Sequence, residues 1–548
     1  MQPKFIFISG GVISGLGKGI TTASISLLLK SCGYKVAPVK CDAYVNIDAG
    51  TIRPQEHGEI FVCDDGIETD QDLGNYERFI DEPLSRANYI TTGQIYQEVI
   101  RKERAFEYKG EDVEVVPHIP EEMMRRFKEA GKKMKADFVL VEIGGTVGEY
   151  QNILFIEANR IMKVRDKEDV LHIHVGYLPT PPSIGEMKSK PVQTSVRLLN
   201  ETGIQPDFLI ARAEKPLDSR RIQRLALFCN IASEDIISNP DVKSIYEIPL
   251  IFEEQQLGKK ILKKFGLRSK KRKNLKEWRR LVKRIKMTEK PGSKKVKIGM
   301  IGKYQRVGEF RLEDAYISVV EAIKHACWAN GVRPEIIWFD SEQVENEGTK
   351  GLEVVDGIIV PQGWGSRGVE GKIKAIQYAR ENKIPYLGLC FGMQMAVIEF
   401  GRNVIGLKKA NSTEVDPQTP HPVIHIMPEQ EKYLAKHQYG GTIRLGAWPC
   451  KILPKSRLHQ VYGRLLISER HRHRYEFNNK YKKQFEKAGV VFSGISPDGK
   501  LVEAVEILNH PFFVGTQFHP EYKSRPLKPH PLFLRFIKAA KEKNAAHR

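Results

Sequence analysis

A chain of 548 residues with 41% apolar content is too long for one ordinary core and has the apolar material for two to four. Its formal charge of +20 invites a nucleic-acid reading, but nineteen Lys and Arg against two acids, Glu277 and Glu289, fall between Lys259 and Lys297, so this one segment carries +17 and the remainder is nearly neutral. No apolar run approaches bilayer length, the N-terminus lacks the order of a secretory signal, and seven scattered cysteines without a C-x-x-C pair argue against disulfides and structural zinc, so the expectation is a soluble cytoplasmic protein.

The first informative stretch is SGGVISGLGKGITT at 9–22, between a strand-like KFIFI and a helix-like ASISLLLK. It fails the Walker A spacing, because Val12 stands at the first glycine position and Gly19 follows the lysine. The physics of such a loop survives: glycines let backbone N–H groups converge on an anion, Lys18 adds a point charge, a helix N-terminus opens behind, and Thr21 or Thr22 can supply a hydroxyl. A glycine-rich turn with no ligand is the alternative for this stretch alone.

Next come short β-rich runs, KVAPVK (35–40), DFVLVEIGG (137–145), VLHIHVGYL (170–178) and DFLIAR (207–212), separated by helix-length segments. That alternation predicts a parallel sheet with helices on both faces, with ligands at the carboxyl ends of the strands. Lys18, Lys40 and Glu142 fall at those ends, and an acid ending an apolar strand needs a partner. Magnesium beside a phosphate loop is such a partner, with Asp72 in ETDQDLGNYERF as a second oxygen ligand.

The basic segment, including EKPGSKK at 289–295, reads as a solvated connector with a basic helix around LKEWRRLVKRIK; RNA or anionic membrane binding is disfavoured by the lack of aromatics beyond Trp278. After it, VKIGMIGKY (296–304) starts a second strand-and-helix alternation. In IPYLGLCFGMQMAVIEFG an apolar strand runs through Gly388-Leu389-Cys390-Phe391-Gly392 into an amphipathic helix, which resembles a nucleophile elbow carrying Cys. A helix N-terminus favours thiolate, and GTQFHPEY supplies a base, His519, and an acid, Glu521, to orient it.

The blocks KCDAYVNIDAGTIRPQEHGEIFVCDDGIETDQDLGNYERF (40–79), GGTVGEYQ (144–151) and GEMKSKPVQTSV (185–196), in that order after the glycine loop, closely resemble CTP synthase over nearly the whole chain, and the Cys followed by H-x-E resembles a class I glutamine amidotransferase domain. The resemblance implies an α/β architecture of two doubly wound parallel-sheet domains. Residues 1–267 would form a dethiobiotin-synthetase-like amidoligase that binds ATP and UTP, 268–295 a basic linker, and 296–548 the glutaminase. In such an enzyme ATP phosphorylates O4 of UTP and ammonia from L-glutamine displaces the phosphate. Gly15, Leu16, Gly17, Lys18, Gly19, Ile20, Lys40, Asp72, Asp241 and Val242 would then serve ATP, with Asp72 and Glu142 on Mg2+. Ser14, Glu149, Tyr150, Gln151, Lys188, Lys190, Gln193 and Arg224 would serve UTP or the feedback inhibitor CTP. Cys390, His519 and Glu521 would be catalytic, with Gly363 at the oxyanion site and Phe391, Gly392, Gln394, Glu414 and Arg474 around the glutamine. The resemblance also implies GTP as allosteric activator, touching Trp364 and Arg444, an ammonia path near His57 and Ile60, and a homotetramer with no membrane or nucleic-acid partner.

The chain departs from that family at Ala43, where Pro is usual, at Gln362 for Gly, at Glu149-Tyr150-Gln151 for Asp-x-Glu, at Arg224 for Lys and at Ile60 for Val. Gln362 carries a Cβ, so an oxyanion loop needing positive φ would be strained there. Two rivals stay open on sequence alone: an amidotransferase acting on carboxylates, against which KSKPVQ and PHI (117–119) argue, and a catalytically weakened homologue acting as a filament or nucleic-acid-binding scaffold.

Overall fold

The computed structural model describes residues 3–546 except 12, 305, 308, 309, 312 and 436–439, so Val12 lies outside the described residues. The chain divides into two compact units, Met1–Asp48 with Asp72–Val282, and Ala49–Gln71 with Lys283–Arg548. Residues 49–71 thus leave the first unit and join the second, which no composition shift announces.

The first unit is built on seven strands, β1 (Lys4–Gly11), β2 (Val36–Asp42), β3 (Tyr89–Thr91), β4 (Phe138–Ile143), β5 (Val170–Leu178), β6 (Phe208–Ala213) and β7 (Ile236–Pro240). Their spatial order is β3-β2-β4-β1-β5-β6-β7, and every pairing is parallel. Both faces are covered, which is why the strands read as continuous apolar runs: Ile6, Phe7, Ile8, Val139, Leu140 and Val141 are fully buried. Each such side chain contributes about 1.5–3 kcal/mol of hydrophobic stabilisation. The winding reverses beside β1, whose carboxyl end runs into the glycine loop and helix Lys18–Ser31, the usual place for a ligand crevice.

The second unit carries a nine-stranded sheet of β8 (Lys295–Gly302), β9 (Arg333–Asp340), β10 (Gly357–Val360), β11 (Tyr386–Leu389), β12 (Arg444–Ile452), β13 (Leu466–His473), β14 (Val490–Ile495), β15 (Val502–Ile507) and β16 (Phe513–Thr516). The order is β9-β8-β10-β11-β16-β15-β14-β12-β13. The expected parallel arrangement covers β9 to β16, and the sheet continues through β13 as an antiparallel extension. The helix after β11, Phe391–Asn403, is apolar nearly all round and lies in the core, with Phe391, Met393, Met395 and Ile398 buried.

The basic segment forms the helix expected there, Lys276–Thr288, but it is not simply solvated. Trp278, Leu281, Val282 and Ile285, spaced i, i+3, i+4, i+7, are each at most 5% exposed. Trp278 donates through Nε1 to the carbonyl of Tyr246 at 2.8 Å and packs on Phe79. The charge count hid an apolar stripe.

No helix among the described residues is long and apolar enough to cross a membrane, and all seven cysteines are free and buried.

Candidate active site

In the first unit Lys40 on β2 lies opposite Glu142 on β4 in the register of the sheet. Its ammonium reaches Asp72, lies 3.2 Å from Glu142 Oε1, and is 3.8 Å from Asp42. Tyr76 donates to the other Glu142 oxygen. Burial, and next the charge of Asp72, push the Glu142 carboxyl up to about 7 against the pull of Lys40. Lys18, the first residue of its helix, folds back to donate to the Gly145 carbonyl, and burial holds its pKa below the usual lysine value. Gly19 is required by this crowding, since a Cβ there would lie 2.0 Å from Asp72 Oδ1. Gly15 and Gly17 adopt positive φ of 72° and 87°, which shapes the loop.

Arg212, which sequence reasoning missed, donates to the Gly15 carbonyl at 2.9 Å and lies 3.2 Å from Asp241, drawing both residues together next to Val242. Leu16 is buried under the loop, Ile20 is half-buried and Ser14 is exposed. Lys190 opens the helix Lys190–Glu201 and Gln193 donates to Ser189. Lys188 pairs with Glu186, whose acidity is raised first by Lys188 and also by Arg221 and Arg224. Arg224 is thus near this loop, lying over Phe228. Glu149 accepts from Thr146 Oγ1 at 2.6 Å, while Tyr150 and Gln151 face solvent.

In the second unit the strand-to-helix turn is strained at one residue: Cys390 caps Phe391–Asn403 with φ 51° and ψ −98°. A non-glycine residue is held there only when its surroundings over-determine it; here its N–H donates to the Thr516 carbonyl at 2.6 Å. Gly392 must lack a Cβ, which would meet the Val360 carbonyl at 2.0 Å. The Cys390 thiol donates to the Arg472 carbonyl at 3.7 Å and accepts from Gln517 Nε2 at 3.5 Å.

His519 joins Cys390 in one small cavity, also lined by Gln362, Gly363, Trp364, Phe391, Gln394, Glu414 and Arg474. Glu521 holds the far ring nitrogen of His519. Gln394 donates to the Tyr475 carbonyl at 3.0 Å and to Gln517 at 3.3 Å, which leaves its buried Oε1 without a partner among the described residues. Glu414 accepts from the Gly365 N–H at 2.7 Å, and burial raises its carboxyl.

The loop carrying Gly363 is fastened by groups that sequence reasoning did not find. Lys372 donates to the Pro361 carbonyl at 3.2 Å, Lys303 to those of Gly365 and Arg367 at 3.0 and 3.2 Å, and Tyr304 accepts from the Trp364 N–H at 2.9 Å. Both ammoniums lie over the Phe391 ring, and burial pushes Lys303 down to about 8. The feared strain at Gln362 is not there: among the described residues positive φ falls on Cys390 and not on Gln362, so its Cβ is tolerated.

A larger cavity of about 640 Å3 lies in this unit between residues 49–71 and the same loop, lined by Arg53, Ile60, Lys303, Tyr304, Trp364 and Arg472 among others. Trp364 lines this cavity, and Arg444 does not: its guanidinium turns to buried Glu503 at 2.8 Å and lies over Trp448. His57 pairs with Asp70 at 3.0 Å.

A cysteine on a strained elbow beside a His–Glu pair fits thiol-dependent amide hydrolysis of the glutamine amidotransferase class, and the glycine loop with its Lys–Asp–Glu cluster fits nucleotide binding. The family model described as glutamine amidotransferase class-I matches residues 311–539, and that described as CTP synthase N-terminus matches 4–267. The chain is 52% identical over 543 residues to the CTP synthase of Carboxydothermus hydrogenoformans, covering 99% of each chain, and 50% identical over 550 residues to that of Pyrococcus abyssi, covering 99% of this chain and 100% of the other. Among solved structures, the Trypanosoma brucei CTPS glutaminase domain with bound acivicin is 39% identical, covering 45% of this chain and 94% of that one at a TM-score of 0.41. The chain belongs to the CTP synthase family, glutamine-hydrolysing ligases that convert UTP to CTP.

Proposed function

We propose that the two sites divide the reaction as follows. At the first, ATP phosphorylates O4 of UTP; ammonia then adds at C4 and phosphate leaves, with Lys18 and Lys40 holding the triphosphate. Lys188, Lys190, Gln193 and Arg224 bind the UTP phosphates, and Glu149 and Gln151 lie toward the nucleoside of UTP or CTP. The all-oxygen donors of Asp72 and buried Glu142, whose mutual repulsion a cation relieves, fit Mg2+. Bound there, it would supply positive charge that offsets the charge of the triphosphate during phosphoryl transfer.

At the second site the Cys390 thiolate attacks the glutamine amide carbonyl. His519 passes its proton to the leaving nitrogen, ammonia departs, and water hydrolyses the thioester to glutamate, restoring the thiol. Glu521 fixes the imidazole tautomer, and the Gly363 N–H faces the oxyanion. Gln394 Oε1 and Glu414 accept from the substrate ammonium, while Arg474 forks onto its carboxylate. The observation that carries this reading is the convergence of Cys390, His519, Gln394, Glu414 and Arg474 on one cavity.

GTP as activator suits the 640 Å3 cavity, where Trp364 offers a face for a base and Arg53, Lys303 and Arg472 offer cations. CTP feedback, a homotetramer and a cytoplasmic setting complete the reading, with residues 1–267 as synthase, 268–295 as connector and 296–548 as glutaminase. The pure protein with UTP, ATP, Mg2+ and glutamine should show the absorbance change from uracil to cytosine. Glutamine hydrolysis without that change would point to another acceptor, and neither signal to a weakened homologue.

A further inference from the structure

Glu59 is fixed within the second unit from several directions. Its N–H donates to the Asp314 carbonyl at 2.9 Å, and its Oε2 accepts from the Ser318 N–H at 2.9 Å, at the start of helix Ile317–Ala329. Its Oε1 accepts from Nε2 of Gln362 at 3.2 Å. The next carbonyl, that of Ile60, accepts from the Tyr522 hydroxyl at 2.9 Å, and the Tyr522 ring stacks on His519 with centroids 5.0 Å apart and planes at 16°. Residues 59 and 60 therefore touch the Cys390 cavity on two sides, through Gln362 at the Gly363 loop and through Tyr522 at the base.

Lys372, Tyr304, Glu414 and Lys303 fasten that loop through main-chain atoms at 361, 364, 365 and 367, and at its far end the Arg367 side chain donates to Glu342 and to the Lys303 carbonyl. At 362 the tie is a side chain, and it directly precedes Gly363. Glu59 is 3% exposed and held by its own backbone, so Gln362 reaches a stationary acceptor and spends little side-chain freedom on it. A residue without a donor at 362 would leave a buried carboxylate oxygen lacking this bond and the peptide before Gly363 lacking its lateral anchor.

We propose that Gln362 is a positioning residue: its amide bond to Glu59 orients the peptide of Gly363, so that glutamine hydrolysis at Cys390 depends on how residues 59 and 60 are seated. This rests on the reading of Gly363 as oxyanion donor, which Cys390→Ala and the unmodified protein test separately by whether glutamate is released at all.

The decisive experiment compares Gln362→Met, close in volume but without the donor, with Gln362→Glu, which sets two carboxylates face to face, and with the exchanged pair Glu59→Gln/Gln362→Glu. Glutamate release is measured over a range of glutamine concentrations, alongside CTP formation from ammonium. Each single change should lower kcat for hydrolysis about tenfold with KM changed less than about twofold, since misplacing a reacting group acts on the transition state. Ammonium-driven synthesis should stay within about twofold of the unmodified rate. The exchanged pair should recover most of the lost kcat, because the amide introduced at position 59 still accepts from Ser318 and now donates to the carboxylate introduced at 362. Unchanged kcat in Gln362→Met overturns the proposal, and so does an exchanged pair no faster than the slower single variant. If Gln362→Met also loses ammonium-driven synthesis, the exchanged pair decides, since it keeps a donor facing an acceptor between the two positions.

Discussion

Nδ1 of His519 lies 2.7 Å from Oε1 of Glu521, with both side chains at most 1% exposed. Burial opposes a charge on the imidazole, yet Glu521 and Cys390 outweigh it and raise His519 from 6.5 to about 10. A group whose pKa rises on folding lends stability that is fully present below its unfolded value and fades as pH climbs through the folded one. Glu521→Gln removes the main source of that lift. The gap in urea midpoint between the unmodified protein and Glu521→Gln should therefore be largest near pH 6 and shrink toward pH 10. A gap that widens with pH would contradict the assignment.

Cys390 and Lys18 should separate the two chemistries. Nothing in the ligase half needs a thiol, so Cys390→Ala should lose synthesis from glutamine and keep synthesis from ammonium. Lys18→Ala should lose both, because it serves phosphoryl transfer. Steady-state assays with each nitrogen source check this, and a folded Cys390→Ala protein inactive with ammonium would refute it.

Gln151 is exposed and offers one neutral oxygen acceptor, whereas a carboxylate at this position would offer two charged ones. Replacing a charge-assisted bond by a neutral one costs about 1 kcal/mol, roughly fivefold in affinity. Gln151→Glu should accordingly strengthen CTP inhibition about fivefold at fixed UTP. Equal inhibition of the two proteins would show that position 151 does not read the nucleoside.

Ile60 is 5% exposed, and its carbonyl holds Tyr522. Ile60→Val removes one buried methylene, so it should cost about 1 kcal/mol in unfolding free energy while leaving that backbone contact intact. If the side chain narrows the route of ammonia, CTP formed per glutamine hydrolysed should rise toward one; an unmodified protein already at one would show that the side chain does not restrict passage.

The parts of the sites legible in the sequence are those where chemistry clashes with packing. An acid ending an apolar strand, as at Glu142, and a cysteine between two glycines, as at Cys390, announce themselves because neither suits a core. Lys303 and Lys372 do not, since a lysine on a helix or after a strand reads as a solvated charge, and only the fold shows the ammoniums buried over Phe391. Arg212 was hidden for the same reason. The apolar stripe of Trp278, Leu281, Val282 and Ile285 was written plainly at helical spacing, but nineteen basic residues around it drew the reading toward solvent. Positive φ at Cys390 follows from its elbow, whereas no local pattern announces that Gln362 avoids positive φ.

The membership of residues 49–71 in the second unit also bears on the order of folding. Asp64 pairs with Arg470 at 2.6 Å across 406 residues of sequence, and Glu68 with Arg472 at 2.8 Å across 404. During synthesis this segment leaves the ribosome hundreds of residues before the guanidiniums it will meet, so its docking must be a late, long-range closure. Until then Asp64, Asp65, Glu68 and Asp70 keep it hydrated and discourage premature association. The carboxylates that later neutralise buried arginines serve first as the segment's protection while it waits.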